Sequence, residues 1–233
     1  MNGQRELHIF DIGGSIVAPD KPDVTYLRKF LDFLNSWLEE IPSRSAIIVV
    51  GGGGAAREWQ GALKKLAPHS PFEALDWVGV MATRLNAELV RGLLGTLSPD
   101  PVVIDPSKSF PFSGRVLVAA GWKPGFSTDY DAVILAERFK VDTIIVLSNI
   151  PQIYDKDPSR STLAKAISEL TWDQYKKLAG SEWQPGANIP FDPVASERAS
   201  SAGLKIICAA GADLDNLDAI LAGGKFIGTI IGP

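Results

Sequence analysis

The chain has 233 residues, 45% of them hydrophobic, and a formal net charge of −4, enough apolar mass for one domain or two tightly joined lobes and no electrostatic case for nucleic acid or an anionic membrane. A single cysteine, Cys208, excludes an internal disulfide and fits a cytoplasmic protein, while two histidines, His8 and His69, with no Cys/His cluster argue against a structural zinc. No apolar run approaches the roughly 20 residues of a membrane span, and no signal-peptide pattern opens the sequence.

In chain order, residues 7–12 read as a buried strand broken by Gly13-Gly14-Ser15. Apolar positions at helical spacing (Val24, Leu27, Phe30, Leu31, Leu34, Leu38) place a helix over 24–38. The β-branched run 46–50 is a second strand, and Gly51-Gly52-Gly53-Gly54 leads from it into a helix over 55–66 that carries Arg57 in its first turn. A longer helix covers about 72–94. Within it Asp76, Thr83 and Asn86 share one face, either as a polar stripe on a surface helix or as part of a site. Strands are expected at 102–104, 115–119, 143–147, 204–208 and 226–231. Helices are expected at about 130–139 after a Ser/Thr N-cap, at 172–178, from Asp192-Pro193 to Gly203, and at 214–221. Residues 107–113 and 180–190 read as loops. Cys208 lies inside an apolar strand and reads as a small core residue. The alternation of strands and helices argues a mostly parallel, three-layer α/β/α fold.

Polar loops sit at four strand ends, at 11–15, 51–57, 121–129 and 148–157. Open α/β sheets bind ligands at such ends. Glycines there leave main-chain N–H groups free to face an anion at the start of the next helix. Phosphoryl transfer needs such cradles, cations and a positioning carboxylate. The candidates are Gly13, Gly14, Gly52 and Gly53 as cradles, Arg57 and Lys156 as cations, and Asp129 as the carboxylate. There is no GxxxxGK[ST] and no GxGxxG dinucleotide fingerprint. Trp122 and Trp183 flank the expected cleft and read as packing more than as base-stacking platforms.

These residues resemble the amino acid kinase family, and within it the archaeal-type uridylate (UMP) kinases. The resemblance covers nearly the whole chain. It rests on Ile12-Gly13-Gly14-Ser15, Gly51-Gly52-Gly53 with Arg57, Asp76 with Gly79 and the run Ala82 to Ala87, Pro124-Gly125 with Ser127-Thr128-Asp129, Tyr154 to Pro158, and Asp192-Pro193-Val194-Ala195. It implies an about eight-stranded, largely parallel sheet between helices, in a single domain over 1–233 with an acceptor lobe about 1–140 and a nucleotide lobe about 141–233. It implies transfer from ATP, arriving with Mg²⁺, to a small-molecule nucleotide, UMP becoming UDP, in a homo-oligomer, a hexamer in most of the family's UMP kinases. Gly13, Gly14, Ser15, Gly53 and Arg57 would lie along the ATP phosphates, and Ser148, Tyr154, Lys156 and Asp157 about the donor nucleotide. Gly52 and Asp76 would contact the acceptor, and Gly121, Trp122, Lys123, Pro124, Gly125, Phe126, Ser127 and Thr128 would wrap its phosphate. Asp129 would organise the transfer site.

The sequence departs from the pattern twice. The family's first strand normally carries a lysine two residues before the glycine pair, and here that catalytic position is Asp11; Pro151-Gln152 replaces the usual Asp-Gly after the sixth strand. At about 4 Å and an effective dielectric of about 20, a carboxylate facing a phosphoryl group costs on the order of 4 kcal/mol. Another cation, Lys156 or Lys123, could stand in. The alternatives are a family enzyme with a different small acceptor, and a nucleotide-binding protein without kinase activity.

Overall fold

The structure is a computed structural model that describes residues 5–156, 163–179 and 190–233. Its strands are β1 (Glu6–Ile12), β2 (Arg44–Val50), β3 (Val116–Ala119), β4 (Thr143–Ser148), β5 (Ile153–Tyr154), β6 (Ala166–Ile167), β7 (Glu169–Thr171), β8 (Lys205–Ala210) and β9 (Thr229–Gly232). The helices are α1 (Gly14–Val17), α2 (Val24–Glu40), α3 (Gly53–Leu66), α4 (Phe72–Leu94), α5 (Thr128–Phe139), α6 (Trp172–Ala179), α7 (Pro193–Ser201) and α8 (Leu214–Leu221).

Seven strands form one sheet in the order β3-β2-β1-β4-β8-β9-β7, and β5 pairs with β6 in a separate antiparallel ribbon. All pairs of the main sheet are parallel except β8 with β9. The three-layer α/β/α expectation holds, with seven strands among the described residues in place of eight. Strand residues alternate between two apolar cores. Phe10, Ile12, Ile48, Val50 and Leu147 face α2, α4 and α8; Ile9, Ile47, Val49, Ile144 and Val146 face α5, α6 and α7. A sheet covered on both faces needs apolar residues at both parities, which is why β2 is buried from Ser45 to Val50.

Several boundaries moved for local reasons. Asp23 caps α2 by accepting from the Tyr26 amide at 2.9 Å. The expected strand at 102–104 reduces to a single bridge, Val103 with Ala119, because Pro101 and Pro106 remove amides on either side. The last strand begins only at Thr229, since the Asn216 side chain captures both the N–H and the C=O of Ile227, at 2.7 Å each. The short strands β5 to β7 were not expected. The helix expected from residue 55 starts at Gly53, so Arg57 stands in its second turn, not its first. Cys208 is buried in the core as expected.

From β1 the chain moves outward one way through β2 and β3, and the other way through β4 and β8. The order therefore reverses between β1 and β4, the place where an open α/β sheet leaves a crevice at the carboxyl ends of its strands. Register makes those ends flush: Ile12 pairs with Val50 on one side and Leu147 on the other.

Candidate active site

The crevice opens into a cavity of about 510 Å³. It is lined from α1, after β1, by Gly14 and Ser15, from the loop after β2 and α3 by Gly52, Gly53, Ala56, Arg57 and Gln60, and from α4 by Asp76, Gly79, Val80 and Thr83. Gly121, Phe126, Ser127, Thr128 and Asn149 complete it. Three of the four loops picked out by their glycines and polar residues thus meet at one cavity, and Asn149 brings in the fourth.

Close backbone approach explains the glycines. Gly51 N–H donates to Ile12 C=O at 2.9 Å and Gly13 N–H to Leu147 C=O at 2.8 Å, so the loops after β1, β2 and β4 are stitched together. A Cβ on Gly14 would stand 2.0 Å from the Gly53 nitrogen, and Gly53 itself has φ +62°. The N-termini of α1 and α3 carry no side-chain cap, at Gly13 and Gly52 respectively. α5 starts at the same cavity, with Ser127 Oγ accepting from the Tyr130 amide at 3.2 Å. Helix starts concentrate N–H groups and positive dipole ends, so the cavity wall suits anions. Arg57 adds a cation, anchored by an Nη2 hydrogen bond to Pro19 C=O at 2.7 Å.

Helix α4 holds the opposite wall. Asp76, Thr83 and Asn86 are all buried, so the reading of a polar stripe on a surface helix is overturned. Asn86 Nδ2 donates to the carbonyls of Gly51 and Gly52 at 2.9 and 3.1 Å. Thr83 Oγ1 accepts from Gly121 N–H at 2.8 Å and donates to Val80 C=O at 2.7 Å. Asp76 Oδ2 accepts from Gly125 N–H at 2.6 Å, and burial raises its carboxyl above the ordinary value against the lowering effect of that bond. Arg84 donates to the carbonyls of Gly121 and Trp122 at 3.2 and 2.7 Å. One helix thus fixes the two glycine loops relative to each other.

The other expected site residues fall into three groups. Gly13, just after β1, and Ser148, at the end of β4, stand beside the cavity without lining it, and Ser148 Oγ accepts from the Ile150 amide at 3.3 Å. Trp122, Lys123, Pro124 and Gly125 form the outer part of the 121–128 wrap. There Lys123 lies 3.8 Å over the Trp122 ring, Trp122 packs on Phe126 at 5.2 Å, and Phe126 packs on Tyr130 at 4.5 Å. This agrees with Trp122 as packing. Lys156 is exposed next to the β5–β6 ribbon that carries Tyr154, and neither lines the cavity; Asp157 and Trp183 lie outside the described residues. Neither Lys123 nor Lys156 lines the cavity in this structure.

Asp11 is buried on β1, and its carboxyl hydrogen-bonds that of Asp129 at the start of α5. Burial first, then the charges of Asp129 and Asp131, hold Asp11 well above the usual carboxylate range. The expectation of a fixed anion at this position is corrected accordingly: desolvation disfavours the charged form. Asp129 is raised by burial, opposed by hydrogen bonds from Asp11 and from the Asp192 amide at 2.6 Å. Asp131 was missed in the sequence. It is buried, accepts from Trp122 N–H at 3.0 Å and is raised chiefly by burial. Its signal was available, because Asp129 and Asp131 both lie in the first turn of α5. Thr83 and Asn86 were placed on one face without a role; the spacing 76, 79, 83, 86 was the signal.

The sequence pattern of the amino acid kinase family matches residues 9–210. The uridylate kinase of Thermococcus onnurineus is 31% identical over 228 residues, which cover 97% of this chain and 99% of that protein. That of Thermoplasma acidophilum is 30% identical over 225 residues, covering 96% and 95%. The crystal structure of uridylate kinase from Archaeoglobus fulgidus superposes with a TM-score of 0.78 at 27% identity, covering 97% of this chain and 99% of that one. Matched by the family pattern over residues 9–210 and by relatives over nearly its whole length, this chain belongs to the amino acid kinase family.

Proposed function

We propose that the protein transfers a phosphoryl group from ATP to UMP, giving ADP and UDP. The observation that carries this reading is the convergence of the N-termini of α1, α3 and α5 on one cavity, with Arg57 and Asp76 on its walls. In the transfer, an oxygen of the acceptor phosphate bonds to the γ-phosphorus of ATP while the bond from that phosphorus to the β-bridging oxygen breaks. An acceptor phosphate is largely dianionic at pH 7, so no strong base is needed, and catalysis is mainly positioning and charge stabilisation.

In this reading Gly13, Gly14, Ser15, Gly53 and Arg57 hold the ATP phosphates, and Ser148, Tyr154, Lys156 and Asp157 border the donor nucleotide. Gly52, Asp76 and the 121–128 wrap hold the acceptor, and Asp129 organises the centre between them. The halves divide at about residue 140, with the acceptor and the ATP phosphates on 1–140 and the rest of the donor nucleotide on 141–233. Mg²⁺ enters with the ATP phosphates in this reading. No helix among the described residues is long and apolar enough to cross a membrane. A lone buried cysteine is in keeping with a cytoplasmic enzyme. Self-association as a homo-oligomer, a hexamer in the fullest form, belongs to the same reading. Its support is the face of α3 and α4 that exposes Trp59, Trp77, Met81 and Leu85 around a shared groove.

A second reading rests on Asp11, which occupies the strand position where the family resemblance implies a lysine. In that reading the protein binds ATP and transfers nothing. ATP consumption with UMP, CMP, isopentenyl phosphate and small acids separates the cases. UDP formation is the expected result. Transfer only to another acceptor replaces the substrate, and ATP binding by calorimetry without transfer to any acceptor establishes the second reading.

A further inference from the structure

Four carboxyl groups meet beside the Thr128 wall of the cavity. Asp11 comes from β1, Asp129 and Asp131 from the first turn of α5, and Asp192 from the residue that caps α7. Only some of their oxygens have donors. The Asp192 amide serves Asp129 Oδ2 at 2.6 Å, the Trp122 amide serves Asp131 Oδ2 at 3.0 Å, and the Ala195 amide serves Asp192 Oδ1 at 2.6 Å. One oxygen each of Asp11, Asp131 and Asp192 is buried with no N–H or hydroxyl donor. The charged and titratable groups around the set are few. Arg84 on α4 attracts Asp131, and Asp105 repels it. Cys208 on β8 and Tyr175 on α6 are pushed far up by burial and are neutral. No three of these groups could hold a metal ion. Two carboxyl groups within hydrogen-bonding reach of each other, Asp11 and Asp129, have no other means of attraction than a proton between them.

We propose that Asp11 is a positioning residue: it stays protonated and donates its O–H to the Asp129 carboxylate, so that β1 presents a neutral donor and Asp129 carries the pair's single charge. The arrangement removes the repulsion that an ionised Asp11 would exert on a transferring phosphoryl group. It also ties the start of α5 to the central strand, with Asp129 held on its other side by the Asp192 amide. The kinetic consequence rests on the kinase reading above; the proton does not.

The test uses the full chain with Asp11→Ala and Asp11→Asn. An asparagine supplies an N–H donor to Asp129 and cannot titrate. Asp11→Ala is expected to lower kcat for UMP at least tenfold with KM values for UMP and ATP changed less than twofold, and Asp11→Asn to restore most of that loss. Independently, urea unfolding is followed from pH 4.5 to 8.5. The folded wild type holds a proton that the unfolded chain releases near pH 4, so its folding constant falls as pH rises, by up to about tenfold per pH unit. Asp11→Asn lacks this term, and its advantage over wild type is expected to widen with pH. An advantage that stays flat across pH means Asp11 is ionised in the fold and overturns the proposal. Asparagine failing as badly as alanine overturns the positioning role. Wild type that transfers to no acceptor defeats the kinase reading, and the pH series then decides the proton alone.

Discussion

At the residue scale the site is decided by what is missing as much as by what is present. Gly14 and Gly53 bring two loop backbones into direct contact, and a Cβ on either meets the other loop's main chain, at 2.0 Å from Gly53 N or 2.2 Å from Gly14 C=O. Neither backbone can rotate aside as a flexible side chain could. Gly14→Ala is therefore expected to cost about 3 kcal/mol or more through forced separation of the loops, read as a fall in the urea midpoint, with loss of ATP binding by calorimetry. Arg57 is the opposite case, a side chain whose worth is its charge. Its guanidinium is held by Pro19 C=O at the cavity rim. Arg57→Ala is expected to lower kcat/KM for UMP by roughly 100-fold, the scale of removing one preorganised group that stabilises transition-state charge, with little change in the urea midpoint. Steady-state kinetics check it.

At the element scale α4 is a tie between loops. Its inward face runs polar from Asp76 through Thr83 to Asn86, against the glycine loops, then apolar at Val90 and Leu94, against the core. Asn86→Ala takes the donor from Gly51 C=O, while Gly52 C=O keeps the Ala56 amide at 3.4 Å. One unsatisfied buried group costs about 1–3 kcal/mol, and a loss of that size by urea unfolding is expected. α7 carries a pH prediction. Its cap Asp192 accepts from Ala195 N–H, yet burial pushes its carboxyl up to about 6, above the ordinary carboxylate value. The folded chain thus holds this proton more tightly than the unfolded chain. The stabilisation is full below about pH 4 and is lost as pH rises through about 6, a swing on the order of 3 kcal/mol. Asp192→Asn keeps a capping oxygen and removes the titration. Its urea midpoint is expected to be flatter than wild type between pH 4 and 6.

At the scale of the whole molecule, reversal of strand order between β1 and β4 puts the cavity where it is, and covering both sheet faces makes the strands apolar throughout. A large apolar surface among the described residues lies on α3 and α4, where Trp59 and Leu85 are each 68% exposed and Met81 56%. Trp59→Glu combined with Met81→Glu is expected to shift the sedimentation coefficient toward the monomer. A wild type already monomeric at micromolar concentration removes self-association from the proposed function.

The strands, the long helices and the glycine loops were legible because each has a local cause: β-branched runs, a 3.6-residue apolar period, and glycine where no Cβ fits. Asp192 was in place as a cap, and the glycine loops together with Asp76 and Arg57 pointed to a phosphate site before any coordinate. Other features depend on partners far away in the chain. Residues 102–104 have strand composition, but flanking prolines leave them only one bridge to Ala119. Asn86 reads as an ordinary helix residue until Gly51 and Gly52 arrive opposite it from 35 and 34 positions away. Asp11 reads as an anion until burial and Asp129 change its charge state. By itself the sequence determined the elements, the family pattern and the loops that can take an anion, since short-range sterics and periodicity set those. Only the tertiary structure decided which loops share a cavity and which carboxyls face each other, because desolvation and hydrogen bonding act between residues the chain order keeps apart.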